Sequence, residues 1–428
     1  MREVVCIGPA GENMARMACI RAGEDHVAGR GGLGAVMGSK RLKAIAVRGS
    51  RRVEVHDEEG LRRLCGLALK RLRSNPITGK ALPDMGTPFL MRVVNDHGAL
   101  PTRNFRESSF DGAEGLSAEA LKPMLRGRRG CPGCPIACKK VVEVGGEVGR
   151  QPEYESLWAL GPMCGVGELS EVVRLAWLCD ELGLDTISTG STIACAMELT
   201  EVGVAEVGVR WGDAEGARRL IEDIAYGRGW GSRLAEGSMR LASALGRPEL
   251  SMSVKGLELP GYDPRSMYGQ ALAYATSNRG GCHLRAYMVA SEILGVPVLL
   301  DRLSPLGKAD LVALYEDLSA AVDSLVVCKF LLLELDEDVL AEALRAATGL
   351  PYTRAELLKA GERVCCLERL FNVEEGLSAS SDQLPPRLRP PHMDDMLREY
   401  YAVRGWPDGK PSPSKLAELE LPGGRLEL

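Results

Sequence analysis

From residue 52 to about residue 255 apolar side chains recur every three to four positions, the spacing of amphipathic helices. The pattern is clearest over Leu61 to Leu72, Leu169 to Leu182, Thr186 to Leu199 and Ala217 to Ile224. Ser170 is placed to cap the second of these, Gly183 to end it, and Asp185 to cap the third. Helical spacing resumes at Ala271, over Asp310 to Leu335 and over Asp338 to Thr348. Residues 1–50 read differently, as strand, turn, helix, loop, strand. Val4 to Ile7 and Ala44 to Val47 are short β-like runs, and Ile7 to Asn13 is a turn rich in breakers. Ile20 to Ala28 between them is polar and does not read as a strand. Two short strands and a loop do not make a sheet, so the expectation is that this segment closes a domain begun elsewhere. A Pro/Gly break at Leu259 to Pro264 predicts a boundary between two helical domains, 52–255 and 256–428. Pro385 to Pro391 and Arg404 to Pro422 are expected to wrap the surface. The fold class so read is mainly α: two multihelical domains behind a short α/β segment.

Composition narrows the picture without redirecting it. The chain has 428 residues, 45% of them hydrophobic and 26% charged, ordinary globular material with room for two or three cores. A net charge of −5 gives no reason to expect nucleic acid or a membrane surface as partner. The longest apolar run, Ser324 to Leu333, is interrupted by Lys329 and too short to span a bilayer. No signal peptide is read ahead of the first strand. Thirteen cysteines are an odd count, and several (Cys179, Cys195, Cys366) fall on apolar helix faces. That argues for a reducing cytoplasm and against a disulfide framework. Five histidines argue against a histidine-rich metal centre.

The chemistry concentrates in a few strings. Gly130-Cys131-Pro132-Gly133-Cys134-Pro135-Ile136-Ala137-Cys138 sets three thiols at C-x2-C-x3-C spacing on a bend where proline and glycine keep the amides out of regular structure. Soft thiolates there suit zinc or an iron–sulfur cluster. Zinc wants a second Cys or His pair, and none follows; a distant single cysteine fits an iron–sulfur cube better. The plain alternative is a surface loop with incidental thiols. Gly29-Arg30-Gly31-Gly32-Leu33-Gly34 is formally G-x-G-x-x-G, but it lacks the preceding strand and following acid of a dinucleotide fold. It reads instead as a phosphate-cradling or close-packing loop. Asp180 to Asp185 bends at Gly183, and a related string recurs from Asp323 to Cys328, hinting at a ligand bound twice; the simpler reading of Asp185 is a helix cap. His283 lies among small and basic residues, where a lone histidine is usually structural. Glu155, ahead of an apolar helix, serves equally as N-terminal charge.

Together these strings resemble one family, the tungsten-containing aldehyde:ferredoxin oxidoreductases. The resemblance runs through Gly8 to Asn13, Gly29 to Lys43, Cys131 to Cys138, Pro152 to Leu157, Asp180 to Gly190, Tyr274 to Arg279, His283, Asp323 to Phe330 and Leu370 to Asn372. It implies two helical domains like that family's domains 2 and 3, preceded by the end of its β-rich N-terminal domain, with that domain's remainder supplied as a separate polypeptide or lost by truncation of this sequence. It implies a [4Fe-4S] cluster on Cys131, Cys134, Cys138 and Cys328, beside tungsten (or molybdenum) held by two pterins. Asp180, Asp185 and Asp323, with Gly31 and Gly32, would face the pterins, and Glu155 and His283 would be the acid/base pair. The implied activity is oxidation of a small aldehyde to its carboxylate, with ferredoxin taking the electrons. Two departures stand out. Val326-Val327 replaces the family's usual Gly-Leu, and no histidine follows a glutamate by three, so the metal that bridges subunits in some members is not expected in any homo-oligomer. An electron-transfer or scaffold subunit, an inactive fragment, and a related tungstoenzyme with another low-potential substrate remain as alternatives.

Overall fold

The computed structural model describes residues 2–422. Its frame is helical; among the described residues three small sheets accompany it, one of them a two-stranded ribbon of Ser253–Val254 and Leu257–Glu258, and the other two position the rest. The first, order β3-β2-β1-β4 and antiparallel throughout, is built from β1 (Arg2–Ile7), β2 (Ile20–Ala22), β3 (His26–Ala28) and β4 (Ala44–Arg48). The reading of Ile20 to Ala28 as non-strand is therefore corrected: it is the β2–β3 hairpin, with Ile20 opposite Ala28 and Ala22 opposite His26. Its pairing rests on polar partners rather than on an apolar face. Lys139 and Arg150 both donate to the Asp25 carbonyl, and Arg129 pairs with Glu24 at 3.0 Å. Residues 2–48 thus do make a sheet.

The second sheet joins β5 (Leu125–Arg129), β6 (Lys139–Val144) and β7 (Glu147–Arg150) in the order β5-β6-β7. It interrupts the stretch expected to be helical. Val142 and Val144 point into the core from β6, and Gly145 and Gly146 turn the chain at φ of 60° and 86°. Two positive φ values in succession are what a tight hairpin turn of the type I′ family demands, and glycine meets them without strain.

The expected helices form with small shifts: Glu58–Ser74, Leu169–Leu182, Thr186–Glu201, Ala214–Tyr226, Tyr268–Thr276 and Glu337–Thr348. Ser170 is not the cap of the second; that helix begins at Leu169 with Glu168 outside it. Gly183 ends it in the left-handed region, φ 77°, and Asp185 caps the next helix by accepting from the Ile187 and Ser188 amides. The first sheet docks on this corner, because a Cβ on Gly8 would lie 2.3 Å from the Leu182 carbonyl oxygen. One apolar core runs from Ala10 to Leu419 with Trp158 and Tyr274 fully buried in it. The Pro/Gly stretch contributes to it: Leu259 and Tyr262 are buried. The C-terminal segments do more than wrap, since Leu388, Trp406 and Leu419 are core residues and Arg404 is buried against Glu316 and Asp317. Among the described residues no helix is long and apolar enough to cross a membrane.

The expected helix over Asp310 to Leu335 divides. Lys308–Ser324 is helical, and Lys329–Leu333 is a separate short turn. The break falls at Val326, which is 92% exposed with φ 56°. Left-handed backbone costs a residue with a Cβ about 1–2 kcal/mol, and a β-branched one is worst placed. Val326→Gly relieves that strain, against about 0.5–1 kcal/mol of extra unfolded-state entropy. The expected result is a net gain of about 0.5–1 kcal/mol, read as a higher denaturant midpoint.

Candidate functional site

The cysteine loop links β5 to β6. Gly133 at φ 71° and Ala137 at φ 44° turn it, and the Cys134 amide donates to the Cys131 carbonyl at 3.0 Å. Ile136 is buried in a satellite cluster with Leu72, Leu82, Leu333 and Leu335, against which Cys134 and Cys138 also pack. Leu333 belongs to the turn that Cys328 opens, so burial of one apolar cluster brings the distant fourth cysteine to the loop. The electrostatics register their proximity. Burial first, then Glu153, Cys328 and, more weakly, Cys131, pushes the Cys138 thiol up to about 12. Burial, with Cys134 and Cys131 adding to it, also raises Cys328. Among the described residues no three His, Cys, Asp or Glu side chains form a group fit for a single metal ion.

Cys131, Cys138 and Cys328 line a cavity of about 840 Å³ that extends to Glu155 and His283. Glu155 sits in the first turn of the Tyr154–Leu160 helix, and its Oε2 accepts from the Gly261 amide at 2.9 Å. Its Oε1 is buried without a partner and lies 3.7 Å from His283 Nε2. Burial pushes the Glu155 carboxyl up to about 8, Asp185 adding to this while the Gly261 N–H and Arg30 oppose it. His283 is 8% exposed, and its Nδ1 also lacks a partner. Burial, then Arg30, Arg279 and Lys329, holds the imidazole well below its ordinary value. Near neutrality the pair is therefore a carboxylic acid beside a neutral imidazole, each with a buried polar atom that lacks a partner. The Tyr262 and Tyr287 rings pack on the imidazole at 5.6 and 5.9 Å between centroids, and their hydroxyls meet at 3.1 Å.

The remaining sequence-derived residues lie around this centre. Asp180 accepts from Arg150 through both oxygens, at 2.8 and 2.7 Å, and faces Arg21 at 3.2 Å. It lines a second cavity, of about 850 Å³, between the β1–β4 sheet and β6–β7. Asp185 is the helix cap and is paired with Arg30 at 3.4 Å. Asp323 is half-exposed beside Lys329 at 3.1 Å and Arg285 at 3.5 Å. Gly32 is a close-packing residue: at φ 71° its added Cβ would lie 2.4 Å from the Arg16 carbonyl oxygen. Gly31, at φ 91°, has open space where a Cβ would go.

Sequence reasoning passed over Arg30. Its guanidinium, nearly buried, donates to the Gly281 carbonyl at 2.6 Å and to the Glu258 carbonyl while pairing with Asp185. It thus ties the glycine loop to the segment that carries His283. An arginine inside a glycine loop was the available signal. Tyr262 and Tyr287, 25 residues apart, offered none.

One cavity is thus lined by three cysteines and by a buried acid and imidazole. Comparison with known proteins identifies the family. The family model described as aldehyde ferredoxin oxidoreductase, domains 2 and 3, matches residues 64–421, and that for the N-terminal domain matches residues 1–49. The chain is 44% identical over 445 residues to the tungsten-containing aldehyde ferredoxin oxidoreductase of Pyrococcus furiosus, covering 98% of this chain and 73% of that one. To the protein of the same name from Thermococcus kodakarensis it is 42% identical, with the same coverage of each chain. A solved structure, the active site complex BamBC of benzoyl coenzyme A reductase with 1,5-dienoyl-CoA, shares the fold at a TM-score of 0.83 and 23% identity, over 98% of this chain and 73% of that one. The chain belongs to the aldehyde ferredoxin oxidoreductase family and is an enzyme of the oxidoreductase class.

Proposed function

We propose that the chain oxidises an aldehyde to its carboxylate in the cytoplasm, at a tungsten (or molybdenum) bis-pterin centre, and passes the electrons through a [4Fe-4S] cluster to ferredoxin. The observation that carries this reading is the single cavity joining Glu155 and His283 to Cys131, Cys138 and Cys328. The donor set fits the cluster: Cys131, Cys134, Cys138 and Cys328 are free thiols close enough to act on one another electrostatically, and each iron of a cube takes one thiolate. Asp180, Asp185 and Asp323 are the carboxylates that would hold the pterins, sharing them with their present cationic partners. The open space at Gly31 leaves room for close approach. Residues 1–50 are read as the end of the pterin-base domain, 52–255 and 256–428 as helical domains 2 and 3.

The reaction is RCHO + H2O → RCOOH + 2H+ + 2e−. When bound, the metal centre supplies a two-electron acceptor and the cluster a one-electron relay. The protein's own groups handle the protons. Glu155, once ionised, takes a proton from the water whose oxygen joins the carbonyl carbon. His283, held neutral, directs an imidazole N–H at the carbonyl oxygen as negative charge grows there. Burial keeps bulk water from both.

We further propose that a β-rich polypeptide covers the first sheet. β4 is exposed along its whole length, with Ile45 and Val47 outward, and the Asp180 cavity opens beside this sheet. Bare apolar edge strands are surfaces that proteins pair or cover. Metal analysis and an aldehyde panel with ferredoxin as acceptor test both points. The chain purified anaerobically by itself is expected to retain iron and little tungsten, and to oxidise aldehydes once the β-rich polypeptide is present. Stoichiometric tungsten on the chain alone would remove the need for that partner. A tungsten-loaded complex inert to every aldehyde would remove the activity.

A further inference from the structure

The β2–β3 hairpin carries a histidine that none of the roles above uses. His26 Nε2 lies 3.6 Å from Cys131 Sγ. The Lys139 ammonium stands 3.0 Å from Nδ1 and 3.2 Å from Nε2, and it also donates to the Asp25 carbonyl. Arg150 donates to that same carbonyl at 3.2 Å, and Arg129 approaches the Asp25 carboxylate at 3.5 Å. The hairpin is thus pinned by three cations at the mouth of the cysteine loop. An ammonium only donates hydrogen bonds. In the tautomer whose Nδ1 accepts from Lys139, the ring proton is on Nε2, the nitrogen that faces the sulfur.

We propose that His26 tunes the cluster: its Nε2–H donates to the Cys131 sulfur and raises the cluster's reduction potential. The inference rests on the reading that Cys131 is a cluster ligand. One electron enters a [4Fe-4S] cluster on reduction, no proton moves, and part of the added negative charge resides on the thiolate sulfurs. A donor at one of those sulfurs, with an ammonium beside it, stabilises the reduced form more than the oxidised form. Lys139 acts through His26, since donation to Nδ1 leaves the Nε2 proton for the sulfur.

The test is an EPR-monitored redox titration of the anaerobically purified full-length holoprotein. His26→Phe, which keeps a ring and removes the donor, is expected to move the midpoint to more negative potential at unchanged iron content. His26→Gln, whose amide can still donate, is expected to lie between the two. Pulsed EPR of the reduced, unsubstituted protein labelled with 15N-histidine is expected to show a weak histidine nitrogen coupling, so the inference is testable even where His26→Phe fails to fold. An unshifted midpoint in His26→Phe with full iron overturns the proposal, as does the absence of that coupling in the unsubstituted protein. A holoprotein without iron overturns the ligand reading, and the inference with it; iron content tells these failures apart.

Discussion

Glu155→Gln in the completed, metal-loaded enzyme is expected to lower kcat/KM for aldehyde oxidation by about 10²–10⁴-fold, the usual worth of a positioned general base, while the iron–sulfur signal stays unchanged. Glutamine keeps the acceptor for the Gly261 amide and the volume of the side chain, but it cannot take a proton. The pH profile separates this from a packing defect. Burial pushes the carboxyl up to about 8, so the base form is scarce at pH 7. The rate of the unsubstituted enzyme should then rise with pH through about 8 and level off above it. The Gln variant should show no such limb. Stability runs the other way. Between the ordinary carboxylate range and about 8 the folded state keeps a proton that the unfolded chain has lost, so Glu155 makes folding less favourable as pH rises through that window. Glu155→Gln removes that penalty and should melt no lower than the parent at pH 8. Turnover retained with a normal cluster spectrum would take Glu155 out of the mechanism.

The same residues show what the sequence made legible. The cysteine loop stood out by its C-x2-C-x3-C spacing, an interval that chance seldom supplies. Glu155 and His283 could not be told from a helix-terminal charge and a structural imidazole by local pattern; only the family resemblance singled them out, and the fold places them 3.7 Å apart. The mainly helical architecture and the family membership both followed from the sequence. What escaped it was decided by distant partners. Ile20 to Ala28 carries no apolar alternation, and its turn at Glu24 and Asp25 is held by Lys139, Arg129 and Arg150 from the second sheet. Val141 to Gly149 did carry a hairpin signal, a Gly-Gly turn between alternating valines, but it stood inside a long helical stretch whose periodicity outweighed it. Arg30 was passed over for a third reason: its place inside a glycine loop was visible, but its value lies in reaching Gly281, Glu258 and Asp185 at once, and partners 155 to 251 residues away cannot be read from a linear pattern.

Cys328→Ser is expected to strip the cluster and to destabilise the protein at the same time. Cys328 lies 190 residues beyond Cys138 in the chain, and the small apolar cluster around Ile136, Leu333 and Leu335 packs their two segments together. A cluster bound to both is a cross-link that exists only in the folded state, so its binding free energy adds to folding. A ligand present at an effective 1,000-fold excess over its dissociation constant contributes about 4 kcal/mol. With an unfolding entropy of about 2.1 cal/mol/K per residue, a chain of this length unfolding as one unit should lose about 4–5 °C in Tm. Cys65→Ser, at an exposed thiol outside the loop, is the control and should change neither iron content nor Tm. The two readouts must fall together. Loss of iron from Cys328→Ser without a change in Tm would show that the cluster is held by the 131–138 loop without bracing the fold. Full iron in that variant would show that the fourth ligand comes from elsewhere, and the clasp between the two segments would have to be abandoned.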